Sequence, residues 1–291
     1  MAADTAQLAK ITALPCWLGT PKITPLQGGI TNHNFTVSDL RGTYVVRLGA
    51  DIQAHGIMRF NELAASQAAE KAGVSPRVVY HEPGVLVLDF IEGRTLSAAD
   101  VRANPMPALD LIATAHREMA VHLQGPLLTF WPFHVVHNYL TELQKLHSKR
   151  CANFGALWPK IGRLRSIVGQ IELTYCHNDL LAANFIDDGK RLWLIDWDYA
   201  GFNSPLFDLA NFATNSELDE VAERAILARY FGRAPNAPLL RQFNAMRCMS
   251  LLREALWSMM SEITSTIDFD YETYTDAYLR RFDAAWTRVA G

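Results

Sequence analysis

Apolar and polar positions follow two distinct regimes along the chain. Between residues 23 and 92, short apolar or alternating runs are broken by turn residues, the pattern of strands: Ile23 to Leu26, Phe35 to Ser38, Tyr44 to Leu48, Arg77 to Tyr80 and Val85 to Phe90. One stretch interrupts them. Arg59 to Ala72, rich in Ala and Glu and followed by Gly73, predicts a single helix with a glycine stop. From Pro105 onward, long amphipathic stretches predict helices over Met106 to Leu123, Asn138 to Lys149, Leu218 to Tyr230, Leu239 to Glu262 and Tyr271 to Val289. Within this helical half, Leu173 to Asp198 stands apart: the apolar runs Asn184 to Ile186 and Leu192 to Ile195 flank Asp187, Asp188, Gly189 and Lys190, a hairpin pattern. The change of regime near Glu92 and Gly93 places a boundary between an N-terminal unit, 1–92, and a C-terminal unit, 93–291.

At 291 residues the chain is long enough for two modest lobes with a cleft between them. Lys and Arg (27) do not exceed Asp and Glu (30) and form no dense basic run, which argues against nucleic acid as the main partner. A small molecule is the expected partner, and nothing in the pattern assigns an oligomeric state. The four cysteines stand singly, without the paired spacing of a zinc site or disulfide framework, as expected of free thiols. The first ten residues lack the basic start and apolar core of a secretory leader, and no uninterrupted apolar run is long enough to cross a bilayer. These features predict a cytoplasmic protein without a membrane partner.

The candidate chemistry lies in Cys176-His177-Asn178-Asp179-Leu180-Leu181-Ala182-Ala183-Asn184 and in Leu194-Ile195-Asp196-Trp197-Asp198. Phosphoryl transfer needs a carboxylate to hold the acceptor hydroxyl, and an amide plus a carboxylate as hard oxygen ligands for Mg²⁺. Asp179 suits the first task, Asn184 and Asp196 the second. His177 is read as a group that fixes the loop. Each residue alone also suits an ordinary turn or strand end; it is their order and spacing that point to catalysis.

His177-x-Asp179-x-x-x-x-Asn184 with Ile195-Asp196 resembles the catalytic and metal loops shared by aminoglycoside phosphotransferases, choline and ethanolamine kinases and, more distantly, protein kinases. Ile195-Asp196-Trp197-Asp198-Tyr199-Ala200 is similar to the choline and ethanolamine kinase form, as is Phe207-Asp208-Leu209-Ala210-Asn211, whose Asp would brace the loops. The resemblance implies a two-lobed α+β, protein-kinase-like fold: a small antiparallel-sheet lobe with one helix, and a larger, mainly helical lobe. It also implies ATP and Mg²⁺ as cofactors and a small amino-alcohol, choline foremost or ethanolamine, as acceptor. Gln27 to Phe35 resembles a phosphate loop in which Gly28 and Gly29 admit close approach and Thr31 and Asn32 add donors, although two glycines between strands also suit a plain hairpin. Arg47 falls where protein kinases place the phosphate-clamping Lys, and Glu62 where its acidic partner stands; a solvated Glu on a helix is the alternative. Asp89 and Ile91 fall on the hinge that would meet adenine.

For the acceptor, Asp198 and Tyr199 resemble the acid and aromatic that border the family's ammonium pocket, where a cation lies over aromatic faces. Leu252 to Ser258 resembles the helix that supplies that pocket with tryptophans: Trp257 matches the second, and Glu254 stands in place of the first. Trp257 also lies on an apolar stripe with Leu252, Leu256 and Met260, so a core role stays open for it, as it does for Tyr199. The departure at Glu254 removes one wall of the aromatic box and points to a substrate with a primary amine or a bulkier one; the acids Glu254, Glu262, Asp268, Asp270, Glu272 and Asp276 leave an aminoglycoside, with thiamine or a sugar, as the alternative acceptor, although a solvated face explains them equally. A catalytically inactive nucleotide-binding module is the remaining alternative.

Overall fold

A computed structural model describes residues 5–26 and 33–290. Gly28, Gly29, Thr31 and Asn32, assigned to phosphate binding from the sequence, lie outside the described residues. The first unit opens with α1 (Thr5–Thr12), then β1 (Lys22–Pro25), β2 (His33–Ser38), β3 (Thr43–Leu48), α2 (Arg59–Lys71), β4 (Val78–Glu82) and β5 (Val85–Asp89). The strands form one antiparallel sheet in the order β1-β2-β3-β5-β4.

Alternation fixes what each face does. Phe35, Val37, Tyr44, Val46 and Leu48 point to one side, where Ile11 and Leu14 from α1 and the turn after it complete a small core. The same alternation turns Arg47, between Val46 and Leu48, to the opposite face. The sequence did not signal α1, a polar segment with few apolar positions. Helix α2 ends as predicted: Gly73 takes the left-handed conformation (φ +72°) and its amide donates to the Glu70 carbonyl at 2.9 Å. Its small face, Ala65, Ala68 and Ala69, packs with Ile57 and Val74 into the larger core. The helix therefore bridges the sheet to the rest of the molecule.

Beyond β5 the chain forms β6 (Arg94–Thr95), α3 (Ala98–Ala103), α4 (Met106–Glu118), α5 (Pro132–Lys145), α6 (Leu157–Val168) and β7 (Thr174–Cys176). Next come β8 (Phe185–Asp187), β9 (Leu192–Leu194), β10 (Gly201–Asn203), α7 (Pro205–Asn215), α8 (Glu220–Phe231), α9 (Ala237–Thr264) and α10 (Tyr271–Ala290). The predicted hairpin is β8–β9, with Gly189 at φ +82° and the Asp188 carboxylate accepting from the amides of Lys190 and Arg191, each at 2.8 Å. Its strands are shifted from the expected bounds: Asn184 lies in a tight turn, Ala182–Asn184, just before β8. Helix α7, absent from the sequence reading, is buried on every side from Leu206 to Thr214, and even its polar stripe of Asp208, Asn211 and Thr214 faces inward, so no solvated face marks it. Its start is set by Ser204, whose hydroxyl accepts from the Leu206 amide, and by Pro205 in the first turn. Among the described residues, no helix is long and apolar enough to cross a membrane.

The passage from β5 to β6 depends on Gly93. Here β6 pairs with β8, and a Cβ on Gly93 would stand 2.5 Å from the Asp187 carbonyl oxygen and 2.8 Å from Ile186 Cγ2. Gly93→Ala is expected to cost about 1–3 kcal/mol, the usual range for overpacking, read as a lower denaturant midpoint; an unchanged midpoint would show that the passage is loose.

Candidate active site

The loop after β7 is held by its backbone. Asp208, fully buried on α7, accepts the amides of His177 and Asn178, each at 2.7 Å, and contacts His116 Nε2 at 2.9 Å. One turn further on, Asn211 accepts the Leu180 amide at 2.5 Å and donates to Ser250 on α9 at 3.1 Å. Asp208 and Asn211 share a helix face because they are three residues apart. Asn178 adopts φ +66° and donates to the carbonyls of Tyr199 (3.0 Å) and Gly201 (3.2 Å), which ties this loop to the next. His177 is structural, as the sequence suggests. Burial lowers its pKa and keeps it neutral, so Nδ1 accepts the Asp179 amide (3.3 Å) while Nε2 donates to the Ile195 carbonyl (2.9 Å).

With the backbone fixed, Asp179 turns its side chain to the cleft, 16% exposed. Oδ1 accepts from Arg253 Nη1 at 3.1 Å; among the described residues, Oδ2 makes no hydrogen bond. Burial, reinforced by the nearby Glu254 and Asp196 carboxylates and opposed by Arg253, pushes the Asp179 pKa up to about 7. Asn184 donates its side-chain amide to the Asp179 carbonyl (2.9 Å), and its own carbonyl accepts from Ile195 (3.0 Å). Asp196 adopts φ +71° and leaves its carboxylate 32% exposed. Asp179, Asn184 and Asp196 thus converge on one edge of the β8–β9 hairpin.

Above them, the Arg47 guanidinium contacts Glu62 at 2.6 Å, Asp196 at 2.7 Å and Asp198 at 3.3 Å. Arg59 contacts Glu62 at 2.5 Å and Asp198 at 3.0 Å. The cluster of three carboxylates and two guanidiniums carries a surplus negative charge. Burial raises the Glu62 pKa, and the two guanidiniums draw it back. A hard divalent cation fits beside Asp196: its partly exposed carboxylate, the surplus charge and the Asn184 amide oxygen are the donor chemistry Mg²⁺ prefers.

The other residues singled out from the sequence have these surroundings. Asp198, expected at the acceptor pocket, is buried and engaged by Arg47 and Arg59, two cations of the sheet side. Tyr199 lies under the Arg253 guanidinium, with Cζ 4.3 Å from its ring centroid. Glu254 accepts from Arg253 Nη1 at 2.7 Å and from the Tyr274 hydroxyl at 2.8 Å. Trp257 is buried among His55, Tyr271 and Tyr274. At the hinge, the Asp89 amide is committed to the Arg77 carbonyl (3.0 Å) and its carboxylate to the Arg77 guanidinium (2.9 and 3.0 Å); Ile91 is partly buried beside it. Sequence reasoning gave Arg59 and Arg253 no role. The one available signal was an Arg-Glu pair set inside the apolar run Met249 to Met260.

An antiparallel sheet over a helical body, with Asp179 and Asn184 on one loop and Asp196 on the next, defines a small-molecule kinase of the protein-kinase-like fold. The sequence model of choline/ethanolamine kinases matches residues 23–226. Ethanolamine kinase 2 of Rattus norvegicus is 27% identical over 277 residues, spanning 84% of this chain and 71% of the relative. The crystal structure of a choline/ethanolamine kinase family protein from Mesorhizobium loti superposes with a TM-score of 0.79 at 27% identity, covering 96% of this chain and 93% of the other. Choline kinase LicA from Streptococcus pneumoniae shares the fold, with a TM-score of 0.77 at 23% identity over 97% of this chain and 98% of its own. The chain belongs to the choline/ethanolamine kinase family.

Asp208 supplies a direct test of the scaffold. Asp208→Asn exchanges a charged acceptor of two buried amides for a neutral group and is expected to cost about 3 kcal/mol, measured by chemical denaturation; a midpoint indistinguishable from the parent would remove Asp208 from this role.

Proposed function

We propose that the enzyme transfers the γ-phosphoryl group of ATP to the hydroxyl of a small amino-alcohol, choline or ethanolamine. Family membership supports the acceptor class. The observation that carries the mechanism is the division of Asp179: in a partly exposed side chain, one oxygen is held by Arg253 and the other has no hydrogen-bond partner among the described residues. On this reading Asp179 Oδ2 aims the acceptor hydroxyl and receives its proton. The hydroxyl oxygen bonds to the γ-phosphorus as the bond to the ADP oxygen breaks. Asn184, through its amide oxygen, and Asp196 would hold Mg²⁺, which would neutralise phosphate charge.

Arg47 is assigned to the phosphates, steadied by Glu62. The 27–32 turn, with Gly28, Gly29, Thr31 and Asn32, is given to the same phosphates on sequence alone. At the hinge, Ile91 is left as the amide donor to adenine, because that of Asp89 is taken. The nucleotide would lie between lobes 1–92 and 93–291, with α2 packed into the larger one. Most of the rate is expected from positioning and charge neutralisation.

Release of ADP by the purified protein with MgATP, against choline, ethanolamine, thiamine and several aminoglycosides, tests the acceptor. Turnover of choline or ethanolamine is expected; exclusive turnover of another compound would keep the kinase and replace the substrate. Asp179→Asn is expected to lower kcat by orders of magnitude with ATP affinity nearly unchanged, and a variant keeping most of its rate would remove Asp179 from the role. Because Asp179 acts ionised and its pKa in the free enzyme lies at about 7, kcat/KM should rise about tenfold between pH 6 and pH 8. A flat profile across that window would contradict the assignment.

A further inference from the structure

The surroundings of Asp179 have the composition of a cation seat: the carboxylates of Asp179 and Glu254, with aromatic rings at Tyr199, Phe130, Trp257 and Tyr274 close by. A cation already fills it. Arg253, 1% exposed on α9, spends Nη1 on Asp179 and Glu254 together and lays its guanidinium over Tyr199, with Phe130 at 5.8 Å. Nε and Nη2 are buried and find no hydrogen-bond partner among the described residues. Their surroundings are ring faces, and the charge is stabilised there by π electrons. The second carboxylate is closed off as well, because Tyr274 donates to Glu254 from the side away from Arg253.

The remaining aromatic faces are spent on one another. Trp257, 4% exposed, has His55 at 5.7 Å, Tyr271 at 6.2 Å and Tyr274 at 6.3 Å between ring centroids. His55 is itself held by the Tyr139 hydroxyl at 3.0 Å and Ser261 at 3.3 Å. A quaternary ammonium has no N–H and is bound chiefly by open aromatic faces. A primary ammonium carries three donors and needs only oxygen acceptors.

We propose that Arg253 is the specificity-determining residue of the acceptor site: a built-in cation that occupies the aromatic, acidic seat beside Asp179, so that the enzyme selects a primary amino-alcohol over a quaternary one. The inference rests on Asp179 as the group that meets the acceptor. It makes Glu254 the counterion of Arg253, and it accounts for an acid standing where an aromatic wall was expected.

Steady-state kcat/KM for ethanolamine and choline, in the parent and in Arg253→Met, tests it. The parent is expected to favour ethanolamine by about tenfold or more, the discrimination one cation–π seat can supply. In Arg253→Met the vacated seat should narrow that ratio at least about tenfold. Calorimetry with tetramethylammonium chloride reads the seat without turnover: no saturable heat is expected with the parent, and saturable binding with the variant. Preference of the parent for choline, saturable binding of tetramethylammonium to it, or a folded variant with both readings unchanged would overturn the proposal. Should circular dichroism show Arg253→Met unfolded, Arg253→Met/Glu254→Gln removes the charges as a pair and the same readings decide. If neither amino-alcohol is phosphorylated by any form, the acceptor reading falls, and calorimetry still decides whether Arg253 fills the seat.

Discussion

Arg47 brings a positive charge to a place where water is largely excluded and three carboxylates meet, and the relation between the sheet and the helical body follows from how that charge is satisfied. Taking an ion out of water costs several kcal/mol even after relaxation, and the cost is recovered only with close, well-directed partners. Arg47 finds them on different elements: Glu62 on α2, and Asp196 and Asp198 on the loop after β9. Arg59 closes the circuit from the first turn of α2. None of these partners can shift without stranding a buried charge. The cluster therefore sets the position of Asp196 while keeping a surplus of negative charge where a metal and phosphates would arrive.

A second set of constraints rises from the helical side. Asp208 and Asn211 on α7 hold the catalytic loop by its amides, which fixes where the backbone runs without engaging its side chains. Arg253 on α9 then holds one oxygen of Asp179. Backbone and side chain are thus positioned by different helices. The buried location raises the Asp179 pKa towards neutrality, while Arg253 favours the ionised form. That balance suits a group that must accept a proton at ordinary pH.

Much of this was legible where the determinants are local. The strands β2 and β3 are half-buried, so alternation reports them directly. Asp179, Asn184 and Asp196 lie on adjacent loops of one hairpin, so spacing alone groups them. Helices α1 and α7 escaped for opposite reasons: α1 offers few apolar positions, and α7 is enclosed on all sides. Residues that act through long-range contact were hidden. Arg253 reaches Asp179 across 74 residues, and only the fold brings α9 under the catalytic loop. The partners of Asp198 were hidden for the same reason: Arg47 and Arg59, far from it in sequence, pair with it only in the fold.

A crystal structure with Mn²⁺ and a non-hydrolysable ATP analogue tests the central claim most directly, because anomalous scattering locates the metal independently of the fit of the ligand. The ion is expected on the Asp196 carboxylate and the Asn184 amide oxygen, with Arg47 still paired to Glu62 and Asp179 Oδ2 facing the γ-phosphate. An ion held by Glu62 or Asp198, with Asn184 and Asp196 remote from it, would contradict it.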